Sequence, residues 1–184
     1  MQTEIVLSGF GGQGALFAGQ VLAYTALEAG KHVTWIPSYG PEMRGGTAHC
    51  TVIISDDEIG SPIVRHPAAA IVMNIPSLER YEPLVRKDGV LVVNSSLVDR
   101  QVQRNDLTAL MIHASEEAEA IADKRLANMV LLGAYLQASP IFTLEAVGTA
   151  LEHHIAEHRR KLLPANLQAL RRGAELAREQ MVPA

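Results

Sequence analysis

The feature that most constrains the fold lies at the start of the chain. The stretch SGFGGQG at 8–14 places four glycines within six residues: Gly9, Gly11, Gly12 and Gly14. It follows the apolar run EIVLS at 4–8 and precedes a helical pattern that opens at Ala15. The spacing Gly9-x-Gly11-x-x-Gly14 at a strand-to-helix turn matches the dinucleotide fingerprint. There the first glycine permits the sharp turn, the second lets a ligand approach the backbone, and the third packs the helix tightly on the strand. Free N–H groups at the helix start favour an anion, typically phosphate. A tight turn with no ligand would share the spacing, but the glycine density in this context favours a binding loop.

The rest of the chain supports such a loop. Leu16, Phe17, Val21, Leu22 and Leu27 recur at helical spacing over 15–28, and Gly30 supplies the stop. Strands are expected at 4–8, where the short β-branched run reads as a buried parallel strand, and at 32–36, 47–55, 69–74, 90–94 and 109–113. Helices are expected at 77–85, 115–122, 126–138, 143–154 and about 159–179. Strand–helix alternation followed by helices predicts an α/β, Rossmann-like fold with a mainly parallel sheet, flanking helices and a helical C-terminal third. One domain over 1–184 is expected, with a core at about 3–155 and a helical tail at about 156–184.

Composition excludes several functions. The formal charge of −4 and the lack of a basic stripe argue against nucleic acid. Aromatic residues make up 4% of the chain, too few for a base-stacking platform. Arg159, Arg160, Lys161, Arg171, Arg172 and Arg178 read as a solvated helix face. No apolar run approaches the roughly 20 residues that span a bilayer, and the N-terminus lacks signal-peptide features. A cytoplasmic protein without membrane contact is expected. The single cysteine, Cys50, precludes a CxxC zinc site or an iron–sulfur cluster built from this chain, and it reads as a buried apolar residue. His153, His154 and His158 lack an HExxH pattern and are not expected to bind metal. His49 and Cys50 point to opposite sheet faces, so they form no nucleophile–base pair.

The ligand class narrows further. An NAD site needs an acid at the end of the second strand, about 20 residues on, but 33–37 reads VTWIP and no acid occurs before Glu42. Gly14 is followed by Ala15 and Leu16, so the loop is not a P-loop. A second motif, Ser38-Tyr39-Gly40-Pro41-Glu42-Met43-Arg44-Gly45-Gly46, leaves the second strand at the sheet edge expected to carry the glycine loop. Arg44 could reach a phosphate or carboxylate there, and Glu42 could orient it; an exposed loop with one charge pair is the plain alternative. KDG at 87–89 lacks the first glycine of a thiamine diphosphate motif and reads as a turn.

GFGGQG at 9–14, SYGPEMRGGTAHC at 38–50 and ADKRLANMVLLGAYL at 122–136 together resemble the gamma subunit of 2-oxoacid:ferredoxin oxidoreductases. The resemblance runs from about 3 to 155. Met43 before Arg44 favours the 2-oxoglutarate type over the indolepyruvate type. The resemblance implies a non-redox accessory subunit of a complex that converts a 2-oxoacid, coenzyme A and oxidised ferredoxin to acyl-CoA, CO2 and reduced ferredoxin. Thiamine diphosphate, Mg and iron–sulfur clusters would belong to partners: alpha and beta subunits and a ferredoxin-like subunit or ferredoxin. This chain would supply no catalytic or metal-binding residue. It would contact coenzyme A, with Gly9, Gly11, Gly12, Gln13 and Gly14 as phosphate loop and Ser38, Tyr39, Glu42, Arg44, Gly45 and Gly46 facing ligand or partners. Docking on partners leads one to expect an exposed apolar patch over 126–154. The competing readings are a free-standing nucleotide-binding or regulatory module, a glycine loop used only for docking, and a gamma-type subunit of a pyruvate or indolepyruvate enzyme. Lys124 and Arg125 read as solvated charges near a helix start, or as a partner contact.

Overall fold

A computed structural model describes residues 1–38 and 47–182. Among the described residues six strands form one sheet: β1 (Gln2–Phe10), β2 (His32–Ser38), β3 (Thr47–Ser55), β4 (Ala69–Val72), β5 (Val90–Asn94) and β6 (Thr108–Ile112), in the order β2-β3-β1-β4-β5-β6. β1, β4, β5 and β6 pair in parallel, whereas β3 is antiparallel to both β1 and β2. Five strands therefore run one way and β3 alone runs against them. The α/β sheet expected from the strand pattern is present. The purely parallel setting expected for β1 is corrected, since its β3 side is antiparallel. The connection over 39–46 is shorter than the dozen or more residues that a parallel crossover requires.

The two faces are covered unequally. One carries α1 (Ala15–Glu28), α3 (Ala114–Ile121), α4 (Ala127–Ala138), α5 (Leu144–His154) and α6 (Leu163–Met181), packed on Ile5, Leu7, Cys50, Val52, Ile71, Val92 and Leu110. The other carries the short α2 (Ile75–Tyr81), with Leu78, Tyr81, Val85 and Val98 against Val6, Val72 and Val93. Residues alternate between faces along each strand, which places Cys50 beside α1 and His49 toward Tyr81. The expected separation of that pair holds.

Local signals account for the helix ends. Gly30, at φ +69, closes α1 through bonds from its own N–H to Leu27 O and from Lys31 N–H to Ala26 O. Asn74 caps α2 by accepting from Ser77 N–H, and Thr143 caps α5 by accepting from Ala146 N–H. Asp88 adopts φ 60 in the KDG turn before β5. Residues 127–136 of α4 are all buried, because this predominantly apolar helix lies between the sheet and α6.

That burial overturns one expectation. Among the described residues, the large apolar side chains left exposed include Phe10, Leu27, Ile36, Ile63, Leu97 and Leu162, and none falls within 126–154. The sheet and α6 cover α4, and α5 buries its apolar face on α1 and α6, so the docking patch the sequence suggested is not left exposed. No described helix is long and apolar enough to cross a membrane.

Candidate functional site

The glycine loop leaves β1 at the C-terminal edge of the parallel strands and enters α1 directly. Each glycine has a separate task. A Cβ on Gly9 would stand 2.7 Å from Gln13 Oε1 and 3.0 Å from Met73 Cβ, so this position lets the end of β4 come close. Gly12 has φ +94 and nothing within 4 Å of where its Cβ would be, which leaves its surface open to an incoming group. Gly14, at φ +81, is the residue before the helix; a Cβ there would lie 2.5 Å from Asn128 Nδ2. The third glycine of the motif thus accommodates α4 and not, as the fingerprint suggests, the preceding strand.

Gln13 shapes the loop from within. Its Oε1 accepts from Phe10 N–H at 2.6 Å, and its Nε2 lies 3.5 Å from Met73 O. Asn128 holds the loop from outside, donating from Nδ2 to Gly14 O at 3.1 Å while its Oδ1 accepts from Met129 N–H. The start of α1 has no side-chain cap and no acidic residue in its first turn. The N–H groups of Ala15, Leu16 and Phe17 thus have no partner within the helix, and the local field favours an anion.

Two clefts meet at Gly12. One, of about 280 Å³, opens over the ends of β4 and β5 and is lined by Gln13, Met73, Asn94, Leu97, Ser115 and Lys124. The other, of about 370 Å³, lies between α1 and α6 and is lined by Phe17, Leu126, Ile155, Arg159, Leu162 and Asn166, with Gly14 at its margin. Arg125 borders both. It is held by Asp123, whose carboxylate receives Arg125 Nε and Nη2 at 3.0 and 2.7 Å. These bonds lower the Asp123 carboxyl to about 2 and raise the guanidinium above its ordinary value. Sequence reasoning treated Lys124, Arg125 and Arg159 mainly as solvated charges; all three line clefts beside the loop.

Ser38 reaches the same edge two strands away. It pairs with His49 across β2–β3, and His49 pairs with Ser8 across β1–β3, a separation of about 10 Å from Ser38 to Ser8. On that row Ser8 Oγ and Ser77 Oγ are 2.9 Å apart, and burial, aided by the Arg80 charge, lowers the His49 pKa. Tyr39, Glu42, Arg44, Gly45 and Gly46 lie outside the described residues. The topology also explains the missing NAD acid. The position beside β1 that would carry it is occupied by β3, which runs the opposite way.

The remaining candidates have other roles. Burial raises the Cys50 thiol to about 12, and its Sγ sits 3.6 Å from Ala15 O. His153 Nδ1 and His154 Nε2 each lie 3.0 Å from Glu28 Oε1, and the His154 ring stacks on Tyr24 at 3.9 Å, joining α5 to α1.

Known proteins share this architecture. The family model for pyruvate ferredoxin/flavodoxin oxidoreductase matches residues 4–176. Subunit VorA of ketoisovalerate oxidoreductase from Methanothermobacter marburgensis is 35% identical over 182 residues, covering 98% of this chain. The chain spans only 37% of that relative's length. The gamma subunit of keto/oxoacid ferredoxin oxidoreductase from Geobacter sulfurreducens PCA superposes with a TM-score of 0.81 at 29% identity, over 96% of this chain and 99% of that one. The 2-oxoglutarate:ferredoxin oxidoreductase of Magnetococcus marinus, determined with 2-oxoglutarate, coenzyme A and succinyl-CoA bound, superposes with a TM-score of 0.85 over 100% of this chain and 32% of that one. At 22% identity, that likeness is one of fold alone. With a matched family model over nearly its whole length, a relative of the same kind in sequence and the fold of a gamma subunit, the chain belongs to the pyruvate ferredoxin/flavodoxin oxidoreductase family.

Proposed function

We propose that this chain is the gamma-type subunit of a thiamine-diphosphate-dependent 2-oxoacid:ferredoxin oxidoreductase and that it holds coenzyme A for acyl transfer. The observation that carries the reading is Gly12. It is left-handed, open on its outer side and set three residues before the uncapped start of α1 at Ala15. A phosphate at this place would meet the N–H groups of Ala15, Leu16 and Phe17, with Lys124 supplying positive charge from the neighbouring cleft. The donor set therefore fits a phosphate ester.

The chain's contribution is positioning. Gln13 and Asn128 keep the loop in shape, so binding costs little rearrangement, and a thiol carried by the bound molecule is presented to the partners' chemistry. Thiamine diphosphate, Mg and the iron–sulfur clusters belong to alpha, beta and ferredoxin-like partners in this reading, which the single cysteine supports. Tyr39, Glu42, Arg44, Gly45 and Gly46 complete the ligand-facing set, with Arg44 adding charge. Met43 before Arg44 favours the 2-oxoglutarate type. The coenzyme A reported for the Magnetococcus marinus enzyme is in keeping with the ligand proposed here.

The test is steady-state acyl-CoA formation by the assembled complex, with 2-oxoglutarate, pyruvate and ketoisovalerate compared as substrates. Gly12→Val, whose branched side chain is strained at positive φ and fills the open space, should raise KM for coenzyme A about tenfold or more. An unchanged KM would overturn the loop assignment. A preference for another 2-oxoacid would overturn the 2-oxoglutarate type alone.

A further inference from the structure

The two edges of the sheet are protected in different ways. β2, at one end, carries Pro37, which has no N–H to offer a further strand. β6, at the other end, reads TALMI, with no proline and no charge, in unbroken register with β5. An uncharged edge strand of that kind is a template for pairing with another chain. Alternation along β6 decides which of its backbone groups are on offer. Thr108 N–H donates to Gly89 O, and Ile112 O accepts from Ser95 N–H. Thr108, Leu110 and Ile112 therefore face β5, and Ala109 and Met111 face away from it.

Met111 is not left open. Gln180 Nε2 donates to Met111 O at 2.7 Å, and Gln180 Oε1 accepts from Met111 N–H at 3.2 Å. The side-chain amide thus makes the two bonds that a neighbouring strand would make. Its position is set by α6. Leu170, Gly173, Ala174 and Ala177 are buried along one face of that helix, and Gln180 lies on the same face one turn further on. Arg172 ties the helix to α3, donating from Nε and Nη2 to the Glu117 carboxylate at 2.8 and 3.1 Å. Of the two outward residues, Ala109 alone has no backbone partner among the described residues.

A bare β6 edge would suit its own copy. With two β6 strands antiparallel about Leu110, Ala109 of one copy lies opposite Met111 of the other. Both outward pairs then exchange N–H and C=O, and no like charges meet. We propose that Gln180 is a lock on this edge: by occupying Met111 it keeps β6 from pairing with β6 of a second copy of this chain. The proposal does not depend on what the glycine loop binds.

Sedimentation equilibrium of the full chain tests it. Gln180→Ala should dimerise with a dissociation constant at least tenfold lower than that of wild type, because neither copy then has to give up the lock in order to pair. In dilute solution the variant's amide exchange should quicken at Met111 and stay unchanged at the inward-facing Leu110 and Ile112. Raising its concentration should slow Met111 again. Adding Ala109→Pro to Gln180→Ala withdraws the other outward donor and should return the chain to a single copy. A Gln180→Ala chain that associates no more than wild type would overturn the proposal. So would association that survives Ala109→Pro, since it would run through another surface. Exchange that quickens along the whole of β6 would overturn it too, because Gln180 would then be a general support of α6 and not a lock.

Discussion

Cys50 has the environment of a core residue and none of a nucleophile. It is fully buried against Ala15 O, and burial raises its thiol from an ordinary value near 9 to about 12. Between those values the native chain keeps a proton that the unfolded chain has lost. Stability contributed by the neutral thiol is therefore intact below pH 9 and lost as pH rises toward 12, by of order 1 kcal/mol per unit. Tyr81 and Tyr135, whose hydroxyls burial also raises, affect wild type and a Cys50→Ala variant alike. Urea unfolding at pH 8, 9.5 and 10.5 should show wild type losing its advantage over Cys50→Ala as pH increases. A constant gap would mean that the thiol ionises as easily in the fold as out of it. Cys50 was legible from sequence because a lone cysteine in a β-branched run leaves few options. Asn128 was not: its bond to Gly14 O joins residues 114 apart, and no local pattern marks such a pair.

At the scale of elements, the crossing of α4 and α6 is set by two glycines. A Cβ on Gly133 would lie 1.9 Å from Leu170 O, and one on Gly173 would lie 1.8 Å from Val130 O. Both obstacles are backbone, so no rotamer change relieves them. Gly133→Ala would gain about 1 kcal/mol in helix propensity, yet forcing the helices apart should cost more, for a net loss of about 2 kcal/mol. Thermal and urea unfolding would report it, and a variant as stable as wild type would show that the crossing adjusts freely. Element limits were largely readable. Periodicity and glycine stops placed the helix at 15–28 and the strands at 47–55 and 90–94, as observed. The mainly parallel sheet was read, but the reversed direction of β3 was not, because buried parallel and antiparallel strands have the same composition; only the short connection at 39–46 carried that information. The guarded edge of β6, where Gln180 both donates to Met111 O and accepts from its N–H, also had no sequence signature.

For the whole molecule, the question is which end of the sheet receives a ligand. The C-terminal edge of the parallel strands holds the glycine loop, Lys124, Arg159 and the two clefts that meet at Gly12. The opposite edge has a comparable cleft of about 390 Å³, lined by Lys31, Ile54, Asp56, Pro140, Ile141 and Phe142. Size does not distinguish them, but charge commitment does. Lys31 and the N-terminal ammonium both pair with Asp56, so each cation there already has a carboxylate partner, which the two of them hold at about 2. At the glycine loop, the first N–H groups of α1 have no partner within the helix, and the Arg159 side chain has no ion pair among the described residues. Ligand binding stabilises the elements it contacts by mass action, about 2.7 kcal/mol at a hundredfold excess over Kd. Hydrogen exchange with saturating coenzyme A should therefore slow at 9–18, 122–129 and 159–166. Residues 54–58 and 139–142 should exchange as they do without it. Slowing confined to the Lys31–Phe142 end would place the ligand on the wrong side of the sheet for the glycine loop to touch it, and Gly12 would then be a turn and nothing more.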